Sequence, residues 1–243
     1  MTERPSLPPI FEDFAVSADV DPFDRAVSLA TKNTEAGTLI WSERKDAHES
    51  ALILLPEDSL EESLPVVLVA LLGLGDALGS LIPPVISVTY GWPNRIEVNG
   101  GIVGKVNLAV AKTPNPTAVP DWLVIGFTLA QSGSWGRDEH DGQHRTTLME
   151  EGCQVDHVDL LEALSRHLLA WINRWQGDGF QPVQQAWMSR APEIGKHIAS
   201  EIGGRFRQGT FKGLTDQGGI ELVDNGRHQI IPLSEALLTP ATT

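Results

Sequence analysis

Five side chains able to ligate a metal crowd into one short stretch, "DEHDGQHR": Asp138, Glu139, His140, Asp141 and His144. Their spacing matches no structural zinc pattern, in which pairs of ligands stand a few residues apart on a hairpin or helix. The stretch reads as a solvated acidic loop, and no metal is assigned. "GLGDALG", residues 73–79, is G-x-G-x-x-x-G, not the dinucleotide fingerprint, and it follows a helix-like run where that motif needs a strand. "SGSWG" lacks the strand–elbow–helix setting of a nucleophilic serine. The one cysteine, Cys153, has no basic cluster to make it a thiolate and reads as a packing residue. The basic pair Arg44–Lys45 is either an anion ligand or a solvated turn.

The elements that would position such residues follow from periodicity. "DVDPFDRAVSLATKN" begins a helix, with Asp21 as cap and Pro22 at the first helical position. "AGTLIWSE" and "SALILLPE" are β-rich runs joined by "RKDAHE", which predicts neighbouring strands. "EDSLEESLPVVLVALLGLGDAL" has an acidic first turn suited to a helix start. "ISVTYGW", "RIEVNG" and "GKVNLAVAK" read as strands, the last two joined at "NGG", a strong tight-turn signal. "DWLVIGFTLA" is a further strand. In "DHVDLLEALSRHLLAWINRWQGDG", Leu160, Leu161, Leu164, Leu168 and Trp171 repeat at helical spacing, and the glycines end the helix. "QPVQQAWMSRA" continues as a short helix. "RFRQGTFKGLTD", "GGIELVDNG" and "RHQIIPL" then read as short strands with turns.

Composition narrows the class. The formal charge is −14, and residues 191–243 carry five basic and six acidic side chains, so nearly all the excess lies earlier. Such a surface is repelled by phosphate backbones, and no Lys/Arg stripe rescues a nucleic-acid reading. The run "LPVVLVALLGLGDALGSLIPPVI" is interrupted by Asp76, glycines and paired prolines and reads as a buried helix with its exit, not a membrane span. With no signal-like N-terminal stretch and no disulfide in prospect, a reducing, cytoplasmic compartment is expected.

The stretch "GWPNRIEVNGGIVGKVNL", residues 91–108, resembles the strand–turn–strand at the centre of biotin and lipoate protein ligases. The resemblance continues through "DWLVIGFTLA", the long helix with a tryptophan near its end, and "DGFQPVQQAW". "GTFKGLTDQGGIELVDNGRHQIIPLSEA" is similar to the family's SH3-like cap. It spans roughly residues 20–237 and implies an α+β fold: a mixed β-sheet with packed helices, plus a small C-terminal SH3-like β-barrel. The implied units are an extended lead-in over 1–20, a ligase-like domain over 21–190 and the β-barrel over 191–243.

The implied chemistry is a two-step acyl transfer. A carboxylate attacks the α-phosphate of ATP, and a carrier-domain lysine then attacks the acyl-adenylate. ATP, Mg²⁺ and biotin or lipoate would be the cofactors and substrates, a biotinyl or lipoyl carrier domain the partner, and homodimerisation through a sheet edge is usual. Two anions brought together need cations to neutralise them. By the resemblance Trp41, Trp92, Asn94, Arg95, Arg44, Gly100 and Gly101 would line the ligand site, and Lys105 is the candidate catalytic lysine.

Three departures concern the parts that touch the adenylate. The family's G-R-G-R-x-G-R-x-W loop is reduced to "RKDAHE", without a glycine to let backbone N–H groups approach phosphate. The aspartate after "WPN" is Arg95, which either supplies positive charge or pairs with an acidic neighbour. The lysine of N-G-K-K-x-A-G falls on Ile102, and its final glycine on Lys105. On a regular strand residues 102 and 105 face opposite sides, so Lys105 replaces the missing lysine only through a bulge or register shift. These changes favour a relative that binds a small acyl ligand or a carrier domain without normal turnover. The alternatives are an active, divergent ligase and an interaction protein with no ligand.

Overall fold

The computed structural model of the chain describes residues 4–32, 34–113, 115–133 and 144–238. Asp138, Glu139, His140 and Asp141 lie outside the described residues. Strand β1 (Glu12–Val16) precedes helix α1 (Pro22–Ala30), whose first turn is closed by Asp21: its side chain accepts from the Phe23 N–H. Strands β2 (Thr38–Ser42) and β3 (Ala47–Leu54) follow. The acidic stretch after them makes two helices. α2 (Leu60–Ser63) carries a capping box between Ser59 and Glu62, and Pro65 separates it from α3 (Val66–Leu81).

Strands β4 (Val88–Gly91), β5 (Arg95–Val98), β6 (Gly101–Val110) and β7 (Leu123–Ala130) complete the larger sheet. Its order is β1-β2-β3-β7-β6-β5-β4, with β1 parallel to β2 and the other pairs antiparallel. The extended lead-in thus contributes the edge strand β1, paired parallel to β2. Helix α4 (His157–Asp178) ends at Gly179, with φ +77°, and α5 (Gln181–Met188) follows. Then come β8 (His197–Ile202), β9 (Arg205–Leu214), β10 (Ile220–Asp224) and β11 (Arg227–Ile231), and finally α6 (Leu233–Leu237). Those last strands form an antiparallel sheet ordered β11-β10-β9-β8. β8 and α6 carried no clear periodicity and were not expected.

The larger sheet has two unequal faces. On one, Leu39, Trp41, Leu52, Ile125, Phe127, Leu129 and Val106 pack under α3 and α4 in the main core. The apolar stretch Leu60–Leu81 is long and apolar enough to cross a membrane, yet 78% of its most apolar window is buried inside the fold. It is a core helix. On the other face a smaller core, including Ile40, Ala51, Ile53 and Val124, is covered mainly by Ala26, Ala30, Phe23 and Val27 of α1, with Val20 and Trp122 beside them. α1 is only nine residues long, so part of this face is left to polar side chains.

Candidate functional site

The β5–β6 hairpin decides which side chains reach that polar face. Asn99 (φ +50°) and Gly100 (φ +86°) make the two-residue connection, with Val98 opposite Gly101. Two successive positive φ values are what a hairpin turn matched to strand twist requires, and Asn-Gly adopts them at least cost. Two residues on, the ladder slips. Glu97 pairs with Ile102 but Ile96 pairs with Gly104, so Val103 is an extra, unpaired residue. Directly paired residues share a face, and so do residues two apart on a regular strand. Arg95, paired with Lys105, and Glu97, paired with Ile102, therefore put Ile102 and Lys105 on the same side. The opposite parity of an unbulged strand is removed by that one residue.

Register then draws a polar row across four strands: Glu49 opposite Thr128, Thr128 opposite Lys105, and Lys105 opposite Arg95. Adjacent strands stand about 4.8 Å apart, so these side chains are neighbours. The next row, Ala51–Gly126–Asn107, lies toward α1. There the Phe23 ring sits directly over Gly126, in space a side chain at 126 would need.

Most charge in the row is already paired. Arg44 bonds Asp46 at 2.9 and 3.0 Å and Glu49 at 3.0 Å. Arg95 reaches Glu193 at 3.2 Å and lies 4.0 Å from Glu97. Burial raises the Glu49 carboxyl above its usual range, with Arg44 opposing the rise and Asp21 adding to it. Burial also raises Glu97, against the pull of Arg95. Lys105 is exposed and has no ion-pair partner among the described residues.

The other expected site residues are placed elsewhere. Trp92 is a core anchor, 4% exposed, whose Nε1 donates to the Gly218 carbonyl at 2.9 Å and so ties the larger sheet to the smaller one. Asn94 is a hairpin strut: its Nδ2 donates to the Val106 carbonyl, and its own carbonyl accepts from the Val106 N–H, both at 2.9 Å. Trp41 is buried on the helix-covered face, its ring 5.5 Å from that of His157, and so points away from Lys105. Gly100 is a turn residue, and Gly101 lies against Thr146. Of the expected set, the open face brings together Lys105, Arg95 and Arg44.

The sequence reading missed a buried pair on the covered face. His48 Nδ1 lies 2.9 Å from His157 Nδ1, with the rings stacked at 4.9 Å, and His48 Nε2 lies 2.9 Å from Gln131 Oε1. With that oxygen accepting, His48 carries its proton on Nε2 and accepts at Nδ1 from His157. Burial lowers both imidazoles below their usual range; His157, also repelled by His48, falls to about 4. Ser50, Leu74, Phe127 and Leu160 line a cavity of about 10 Å³ beside the pair. One signal was available: in "AHESALIL", His48 and Ser50 share the core-facing parity of Leu52. Among the described residues no three His, Cys, Asp or Glu side chains converge as metal ligands.

A larger mixed sheet with a bulged, cation-bearing hairpin and a small antiparallel sheet tied to it through Trp92 define an α+β protein. The chain belongs to the biotin/lipoate A/B protein ligase family, whose model matches residues 7–189. It is 30% identical over 186 residues to the biotin–[acetyl-CoA-carboxylase] ligase of Paracoccus denitrificans, covering 76% of this chain and 77% of that protein. Among solved structures it is similar to a biotin protein ligase-like protein of unknown function from Silicibacter sp. TM1040. That match has a TM-score of 0.88 and 32% identity, over 97% of this chain and all of the other. Aquifex aeolicus biotin protein ligase shares the fold, with a TM-score of 0.75 and 20% identity over 93% of this chain and 97% of that one.

Proposed function

We propose that this protein is a ligase-family member that binds a small acyl ligand at the Lys105 face without normal adenylating turnover. The observation that carries the reading is the charge of that face. Arg44, Arg95 and Lys105 stand against Asp46, Glu49, Glu97 and Glu193, and the two arginines are already engaged. A single carboxylate can be received by Lys105. A carboxylate together with a magnesium-bound triphosphate would need several free cations in one place. The four-residue 43–46 link between β2 and β3 has two cations, Arg44 and Lys45, against two carboxylates, Glu43 and Asp46, which does not fit closure over an adenylate.

The likeness to the Paracoccus enzyme supports a second reading, an active, divergent ligase that joins biotin, lipoate or a related acid to a carrier lysine. A biotinyl carrier domain is the partner that reading implies, and it is also the candidate partner of a non-catalytic protein. Thermal unfolding with stable acyl-adenylate mimics of biotin and lipoate, beside the free acids, separates the two. At a hundredfold its dissociation constant a ligand stabilises by about 2.7 kcal/mol, which moves the midpoint by roughly 5–11 °C for a chain this size. The expected result is a shift with a free acid, no larger shift with its adenylate mimic, and no ATP-dependent labelling of a carrier domain. Carrier labelling would overturn the proposal in favour of the ligase.

A further inference from the structure

We infer that Phe23 is the specificity-determining wall of the Lys105 face and limits it to short acyl chains; this rests on the acyl-binding reading above. Phe23 is the second residue of α1, and the Asp21 cap on its N–H fixes where the helix begins over the sheet. Its ring covers Gly126, the bare position in the middle of β7, and packs with the smaller core. Glycine inside a central strand marks a close approach to the sheet, and here that approach is made by the protein's own aromatic ring. Gly126 and Thr128 are two residues apart on one strand and one face, which is about 7 Å.

The far end is closed as well. Ile102 shares the face of Lys105 and is 7% exposed, with the 144–146 segment bonded to both its N–H and its carbonyl. A carboxylate received by Lys105 beside Thr128 thus has apolar surface at each end and little length between: Ile102 on one side, Phe23 on the other. A chain long enough to run over Gly126 collides with the Phe23 ring. Neither the turn residues nor the paired arginines set that limit; a single rotamer-restricted side chain does.

The test is calorimetric titration of wild type, Phe23→Ala, Phe23→Leu and Phe23→Trp with straight-chain monocarboxylates from butanoate to decanoate. Each methylene newly accommodated should tighten binding roughly fourfold, the ratio corresponding to about 0.8 kcal/mol of apolar burial. Wild type is expected to prefer the short acids. Phe23→Ala should move the preferred acid longer by two or more carbons, Phe23→Leu by less, and Phe23→Trp should move it shorter. The leucine variant keeps the test valid if the alanine variant loses its fold. Identical chain-length profiles in wild type and the variants would overturn the role of Phe23 while leaving acyl binding intact. Binding of none of the acids by wild type would overturn acyl binding, and this inference with it.

Discussion

The two faces of the larger sheet are built from the same strands and differ only in parity, yet they handle polar side chains in opposite ways. Under α3 and α4 the sheet's own polar side chains include a neutral group in which His48, His157 and Gln131 satisfy each other, while the ion pair Asp76–Arg190 sits half-exposed at the edge of the helices. On the face that α1 covers only in part they are charged and paired with groups on the flanking loops, as in Arg44–Glu49 and Arg95–Glu193. The cause is solvent. A buried ion loses hydration that a neutral hydrogen bond does not need, whereas a half-exposed ion keeps part of its hydration and pairs cheaply.

The sharpest way to break this comparison uses neighbours in sequence on opposite faces. Phe127 is 3% exposed under the helices, and Thr128 belongs to the open row. Phe127→Ala should cost about 3–5 kcal/mol of stability and Thr128→Ala less than about 1 kcal/mol, read from urea midpoints. Similar losses at both positions would mean that the open face is packed as tightly as the covered one.

Acid should weaken the covered face next. The unfolded chain binds protons on both histidines as the pH falls through about 6.5, but folded His157 resists until about 4. Between those values the unfolded state holds more protons, so stability falls as the pH falls. The loss attributable to His157 should reach roughly 2–3 kcal/mol, allowing for its partial exposure. It is measured as the difference in pH dependence between wild type and a His48→Gln, His157→Gln double variant. Parallel curves would show that the pair is not buried neutral.

The smallest effects separate the two cations of the row. Arg95→Ala leaves Glu97 without its nearest cation at a position where the side chain is 11% exposed, and should cost about 1–2 kcal/mol. Lys105→Ala should leave stability within about 0.5 kcal/mol and abolish binding of free acids. Equal stability losses would give Lys105 a structural role.

Much of this was legible. The α4 stripe of Leu160, Leu161, Leu164 and Leu168 is buried as its spacing predicts, Asp21 caps α1, and Asn99–Gly100 turns the hairpin. The site was legible only in part. Lys105 and Arg95 do share a face, but through a bulge at Val103 with no composition of its own to announce it. The motif around Trp92 leaves a pocket residue and a core anchor equally open, and the contact that decides it, with Gly218, lies 126 residues away. His48 and His157 are 109 residues apart, so no local pattern relates them.

The sequence by itself determined the family, most of the helices and strands in their order and the hairpin turn, because caps, turn residues and apolar periods act over a few residues. Tertiary structure alone decided which face each polar side chain reaches, which arginines are engaged, and that Phe23 rests on Gly126. Those outcomes depend on a one-residue slip in register and on contacts between distant strands. Free energy there is set by burial and by partners, neither of which a linear pattern contains.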